Sequence, residues 1–205
     1  MLKILNFLDT EIYILNIARR LGRPVNHKYL KLFSPERQQK ILNFKFNPDR
    51  NRTLYAEILA RKIISRRLNL NFHEIIIERE ANGRPFIANK YNLHFSLSHS
   101  GNYIALSIGE RPNGVDIETR DNVDLNIAKR FFLEHEYKYI LNSQDWRIEF
   151  LNIWTLKESC LKCLNLSNWS SVDTFKLLNF SSELKLKAAN FTLPDAICGV
   201  CVQNN

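Results

Sequence analysis

The sequence predicts an α+β fold, and three observations carry that prediction. Two stretches have the length and apolar spacing of long helices, one following Pro48 and one from about Asp145 to Leu164. Short segments with strand character, such as His94–Ser98, Tyr103–Ile108 and Gly114–Glu118, lie between and around them. Each half of the 205-residue chain therefore mixes helices with a small sheet.

In order along the chain, Leu2–Leu8 reads as a strand. Ser34 followed by Pro35 reads as a helix start, a capping side chain and then proline at the first helical position. The helix after Pro48 turns Leu54, Ile58, Leu59 and Ile63 inward, and Arg50, Arg52, Arg61, Lys62 and Arg66 give it a basic outer side. Glu74–Glu80 reads as a strand and Ala81–Arg84 as a turn. The next two strands flank a turn at Ser98-His99-Ser100-Gly101. Gly109–Gly114 is the Gly/Pro-rich break near the middle, which divides the chain into residues 1–109, a linker at 110–113, and residues 114–205. A helix capped by Asp124 follows, then the helix from Asp145. Strands at Glu183–Lys187 and Ala196–Val202 close the chain.

With 45% hydrophobic and 24% charged residues, the composition is that of an ordinary globular chain. Apolar runs such as Ile75–Ile77 fall far short of the ~20 residues needed to span a bilayer. The N-terminus lacks the charged start and long apolar middle of a signal peptide, so a cytoplasmic protein is expected. A net charge of +8 calls for an acidic partner. Nucleic acid, an anionic cofactor and an acidic carrier protein all meet that requirement. The pairs Cys160/Cys163 and Cys198/Cys201 invite a zinc reading. The gap between them is long for a zinc ribbon, and strand geometry turns Cys198 and Cys201 to opposite faces, so buried free thiols are expected.

The chemistry concentrates in two motifs. In Gly114-Val115-Asp116-Ile117-Glu118, strand alternation points Asp116 and Glu118 the same way, although Val115 and Ile117 would equally suit an ordinary half-buried strand. In the segment Trp154–Lys162, helical spacing puts Trp154, Glu158 and Lys162 on one face. Glu158 and Lys162 also have a plain reading as an i,i+4 ion pair, but a large aromatic one turn earlier argues against full exposure. Brought together, these faces place three carboxylates beside an ammonium group. Such a set suits Mg²⁺, a hard cation completed by phosphate oxygens and water.

These motifs resemble those of the 4′-phosphopantetheinyl transferases, whose signature pairs Gly-x-Asp-x-Glu with Trp-Ser/Thr-x-Lys-Glu-Ser/Ala-x-x-Lys. Ser34–Arg37, Arg52-Thr53, Gly83-Arg84-Pro85, Ser96–Ser100, Ala128–Phe132 and Glu136-Tyr137 occur in the order that family has. The likeness covers roughly residues 33 to 165 and resembles the longer, surfactin-synthetase-activating (Sfp) type. That type implies a pseudo-dimer of two similar halves, with the active site between them in a single chain, hence a monomer. The resemblance implies Asp116, Glu118 and Glu158 as Mg²⁺ ligands and Lys162, with Lys157, as contacts to the phosphates of coenzyme A. It likewise implies Arg37, Lys40, Arg52, Thr53, Ser98 and His99 around the cofactor's 3′-phosphate and pantetheine side, and Arg84 and Pro85 against the adenine. Relatives often carry Lys where Arg37 and Arg84 stand; the charge is kept. Glu136 has two readings: the carboxylate that accepts the serine proton, or a helix-start carboxylate favoured by the dipole.

The expected activity is transfer of 4′-phosphopantetheine from coenzyme A to a serine of an acidic acyl or peptidyl carrier domain, with release of adenosine 3′,5′-bisphosphate. The carrier is expected to dock at residues 119–137, where Arg120, Lys129 and Arg130 meet Phe131 and Phe132. Neither nucleic acid nor membrane is an expected partner. The rival from another class, a basic nucleic-acid-binding module without enzyme activity, predicts indifference to coenzyme A.

Overall fold

A computed structural model describes residues 1–88, 91–121, 123–166, 174 and 185–204. In its first half β1 (Leu2–Phe7), β2 (Thr10–Asn16), α1 (Ala18–Leu21), α2 (His27–Leu30), α3 (Pro35–Leu42) and α4 (Asn47–Leu68) precede β3 (Ile77–Arg79), β4 (Pro85–Ile87), β5 (His94–Ser100) and β6 (Tyr103–Gly109). The second half holds β7 (Asn113–Thr119), α5 (Leu125–Phe131), α6 (Glu134–Leu141), α7 (Trp146–Leu164), β8 (Leu186–Thr192) and β9 (Ala196–Gln203). The fold is α+β, with small antiparallel sheets in the orders β1-β2-β6-β5, β3-β4 and β7-β9-β8.

Capping chemistry places the helix starts. Ser34 Oγ accepts the Arg37 N–H at 3.3 Å, and Pro35 occupies the first helical turn. Asp124 accepts the Asn126 N–H at 2.8 Å, and Asp145 accepts the N–H groups of Arg147 and Ile148. Both long helices end on an asparagine in the left-handed region, Asn69 and Asn165.

Four boundaries differ from expectation. The Glu74–Glu80 strand shrinks to Ile77–Arg79, because the Glu74 carboxylate accepts the Asn71 N–H at 2.6 Å and closes a 3₁₀ turn over Phe72–Glu74. Ser98, His99 and Ser100 belong to β5, not to a turn. The central break narrows to Glu110–Pro112, since Gly109 ends β6 and Asn113 begins β7. Of the strand expected at Glu183–Lys187, residues 183 and 184 lie outside the described residues, and β8 begins at Leu186.

The layers run helix, sheet, sheet, helix. Ala60, Ile63 and Ile64 of α4 pack with Ile104, Leu106 and Ile108 on one face of the four-stranded sheet. The opposite face, with Ile12, Ile14 and Ala105, packs on Val115, Ile117, Cys198 and Val200 of the second sheet. Strands β6, β7 and β9 are consequently buried almost throughout. Alternation then fixes where Asp116 and Glu118 point: away from the inter-sheet core, to the side covered by α7.

The seating of α7 depends on two glycines. A Cβ at Gly114 would lie 1.9 Å from Ser159 O, and one at Gly199 would lie 2.5 Å from Thr155 O. The helix therefore rests directly on β7 and β9, which brings Glu158 and Lys162 level with the Asp116 strand. Gly114→Ala is expected to destabilise the protein by about 1–3 kcal/mol through overpacking. Thermal melting checks this, and an unchanged midpoint would contradict the close seating.

Buried thiols are found as expected. Cys160, Cys163, Cys198 and Cys201 are all free and buried, with Cys198 in the inter-sheet core and Cys201 beside Cys160 and Cys163 on the α7 side. Among the described residues no helix is long and apolar enough to cross a membrane.

Candidate active site

Strands β5 and β7 run side by side, stitched by serine hydroxyls instead of a backbone ladder. Ser96 Oγ accepts the Val115 N–H at 3.2 Å, and Ser100 Oγ accepts the Thr119 N–H at 3.3 Å. On the same face of β5, Ser98 donates to Asp116 Oδ1 at 2.7 Å, while Ser100 also donates to Glu118 Oε2 at 2.6 Å. The serines thus orient the two acids from the neighbouring strand.

From the other side, α7 brings a cation to the same carboxylates. Lys162 Nζ lies 2.6 Å from Asp116 Oδ1, 3.2 Å from Val115 O and 4.0 Å from Glu158 Oε2. Asp116 Oδ2 is buried without a hydrogen-bond partner. Burial pushes the Glu158 carboxyl up to about 7; the charges of Asp116 and Glu118 add to that effect and Lys162 opposes it. For Lys162, burial works to lower the pKa, but the three acids together outweigh it and the net shift is upward. Among the described residues no three His, Cys, Asp or Glu side chains are gathered into a ready metal cage; Lys162 is the cation the acids share.

This acidic cluster opens on a cleft of about 660 Å³. Asp116, Glu118, Trp154, Glu158 and Lys162 line it from β7 and α7, and Arg37, Thr53, Arg84, Pro85, Ser98 and His99 from elements of the first half. Burial lowers the pKa of His99, helped by the nearby charges of Arg52 and Lys162. Trp154 is held by stacking on Phe150, with ring centroids 5.8 Å apart.

Four residues singled out by sequence are not among those lining the cleft. Lys40 is exposed and paired with Glu36 at 3.0 Å. Arg52 is committed to Asp49 at 2.7 Å and Gly101 O at 2.9 Å. Glu136 and Lys157 form a fully buried ion pair at 2.9 Å, both side chains 0% exposed. The Glu136 carboxylate also accepts the Leu133 N–H at 2.8 Å, the Thr174 N–H at 2.9 Å and the Thr174 hydroxyl. These bonds are those of a helix-start carboxylate, the second of the two readings of Glu136, with Lys157 as its ion-pair partner.

The expected carrier surface is exposed only in part. Phe132 is buried, stacked on Phe150 at 5.3 Å, because the aromatic side of α7 needs a partner. Of the expected docking residues Arg120, Lys129 and Arg130 are exposed, and Arg130 sits over the Phe131 ring.

Sequence reasoning missed Glu57 and Arg79, both of which line the cleft. Nothing in their spacing sets them apart from the charged residues of a solvated helix and a short strand.

The geometry is that of an enzyme cleft, with an acidic cluster holding an ammonium group and a basic wall facing the same space. Two family models match, one described as 4′-phosphopantetheinyl transferase, N-terminal, over residues 23–110, and one as the 4′-phosphopantetheinyl transferase superfamily, over residues 112–196. The chain is 34% identical over 154 residues to the 4′-phosphopantetheinyl transferase Sfp of Bacillus subtilis (strain 168), covering 74% of this chain and 69% of that protein. It is 38% identical over 129 residues to 4′-phosphopantetheinyl transferase psf-1 of Bacillus pumilus, covering 62% and 55% respectively. The human L-aminoadipate-semialdehyde dehydrogenase-phosphopantetheinyl transferase is 29% identical over 153 residues, covering 67% of this chain and 50% of that protein. The chain belongs to the 4′-phosphopantetheinyl transferase family, and it is a transferase, which sets aside the non-enzymatic nucleic-acid reading.

Proposed function

We propose that the protein transfers the 4′-phosphopantetheine group of coenzyme A to a serine hydroxyl of an apo acyl or peptidyl carrier domain, releasing adenosine 3′,5′-bisphosphate. The observation that carries this reading is that one cleft is lined both by the Asp116/Glu118/Glu158/Lys162 cluster and by Arg37, Arg79 and Arg84. An anionic nucleotide with a reacting pyrophosphate needs both. The serine oxygen forms a bond to the β-phosphorus of coenzyme A, and the bond from that phosphorus to the bridging oxygen breaks. The electron pair leaves on adenosine 3′,5′-bisphosphate, where the Lys162 ammonium offsets the growing charge. The serine proton passes to a cleft carboxylate.

Asp116, Glu118 and Glu158 are the residues that would hold Mg²⁺. Support comes from the buried, unpartnered Asp116 Oδ2 and from the all-carboxylate donor set. Bound there, the ion would polarise the pyrophosphate and orient it. The halves, residues 1–109 and 114–205 with 110–113 between them, are assigned to adenosine contacts and to the metal and phosphate contacts respectively. Arg52 and Lys40, outside the cleft wall, remain assigned to the 3′-phosphate neighbourhood with His99. Because both sets of residues lie in one chain, the working unit is taken to be a monomer, and the cytoplasm is the proposed compartment. The carrier is an acidic domain steered by Arg120, Lys129 and Arg130.

Metal removal tests the reading. Chelation with EDTA is expected to abolish release of adenosine 3′,5′-bisphosphate from coenzyme A in the presence of an apo-carrier, and Mg²⁺ in excess of the chelator is expected to restore it. Full release under chelation would contradict the metal assignment.

A further inference from the structure

Glu57 is an acid in a wall that should attract an anion. It lies on α4, is 4% exposed and lines the cleft. Its Oε1 accepts from Arg37 Nη2 at 2.5 Å and from Arg79 Nη2 at 3.2 Å. Arg37 sits in the first turn of α3 and Arg79 ends β3, so one buried oxygen ties together three elements. One turn further along α4, Arg61 stacks over the Phe33 ring at 4.8 Å, just before the Ser34 cap. Arg79 continues the chain of bonds by donating Nη1 to Gly83 O at 2.9 Å. Gly83 has φ +87°, a conformation glycine tolerates best, and it opens the Gly83-Arg84-Pro85 segment on the cleft wall.

Two physical effects of this carboxylate have opposite signs. As a bare charge facing the cleft it repels an anionic ligand, so removing it would tighten binding. As an anchor it holds two long, rotamer-rich side chains and a turn in one arrangement, so removing it would weaken binding. The anchoring effect dominates here. Its contacts are direct, two-partner and buried, whereas through-space repulsion across an open cleft is screened by solvent.

We infer that Glu57 is a positioning residue for the nucleotide: it aims Arg37 and Arg79 at the cleft and, through Arg79, holds the Gly83–Pro85 turn against the ligand. This rests on coenzyme A being the ligand of the cleft, as proposed above. Glu57 touches no reacting atom, so its loss should appear in binding and not in the chemical step.

The test measures binding of coenzyme A and of adenosine 3′,5′-bisphosphate by calorimetry, alongside KM and kcat, for wild type, Glu57→Gln, Glu57→Asp and Arg79→Ala. Melting curves confirm that each variant is folded. Glu57→Gln is expected to raise KM for coenzyme A about tenfold with kcat within about twofold, and to weaken adenosine 3′,5′-bisphosphate to a similar extent. Glu57→Asp, which keeps the charge, should recover part of that loss. In Arg79→Ala, adding Glu57→Gln should cost less than it does in wild type, because part of what Glu57 positions is already gone. Tighter or unchanged coenzyme A binding by folded Glu57→Gln overturns the inference, as does full additivity of the two substitutions. If the Gln variant does not fold, Glu57→Asp and Arg79→Ala decide, and an unchanged KM in both overturns it. Failure of wild type to bind coenzyme A removes the functional reading and this inference together.

Discussion

Asp116→Ala is expected to reduce transfer by about 10²–10³-fold, the scale for deleting one preorganised electrostatic group at a reacting centre. Asp116 is where the site converges: its Oδ1 takes Ser98 at 2.7 Å and Lys162 at 2.6 Å, and its Oδ2 is buried without a partner. Removing the side chain leaves Lys162 with Glu158 at 4.0 Å as its remaining ion-pair partner among the described residues, so the ammonium should shift as well. The fold should survive, because the inter-sheet core is carried by Val115 and Ile117 on the opposite face of β7. The check is steady-state transfer together with a melting curve. Wild-type turnover by a folded variant would remove Asp116 from the active site.

The second large effect concerns stability. Glu136 and Lys157 are fully buried and paired at 2.9 Å. Lys157→Met strands a carboxylate in the core, and Glu136→Gln leaves the ammonium short of its countercharge. Each single change is expected to cost about 3–5 kcal/mol, lowering the melting midpoint by roughly 10 °C or more. Replacing both together with apolar side chains should cost much less than the sum, because no unpaired charge remains. The catalytic reading of Glu136 makes a different prediction: a stable Glu136→Gln protein with an altered pH–rate profile. Denaturant melts and a pH profile on the same samples separate the two.

How much was legible beforehand varied with the kind of information needed. Caps such as Ser34 with Pro35, Asp124 and Asp145 act through bonds to residues two or three positions away, so the helix starts could be read locally. The register of Asp116, Glu118, Glu158 and Lys162 followed from strand and helix periods, and the glycine of the first motif had a cause in the seating of α7. The depth of Lys157 did not follow. Its offset of about 100° from Glu158 was evident from helix geometry, but that α6 would supply a buried carboxylate there depends on tertiary packing. Phe132 reads as a surface anchor for the same reason, since its partners Phe150 and Trp154 lie on another helix. Ser98, His99 and Ser100 read as a turn because the apolar alternation of Phe95 and Leu97 stops there and Gly101 follows. The serine hydroxyls of β5 face β7, and burial there is stabilised by hydrogen bonds to carboxylates and backbone N–H groups.

The most direct measurement is the intact mass of an apo-carrier domain after incubation with coenzyme A, Mg²⁺ and this protein. The carrier is expected to gain one phosphopantetheine group, a gain abolished when the acceptor serine is replaced by alanine and greatly slowed in Asp116→Ala. An unchanged mass across acyl and peptidyl carriers, with a folded enzyme that binds coenzyme A, would contradict it.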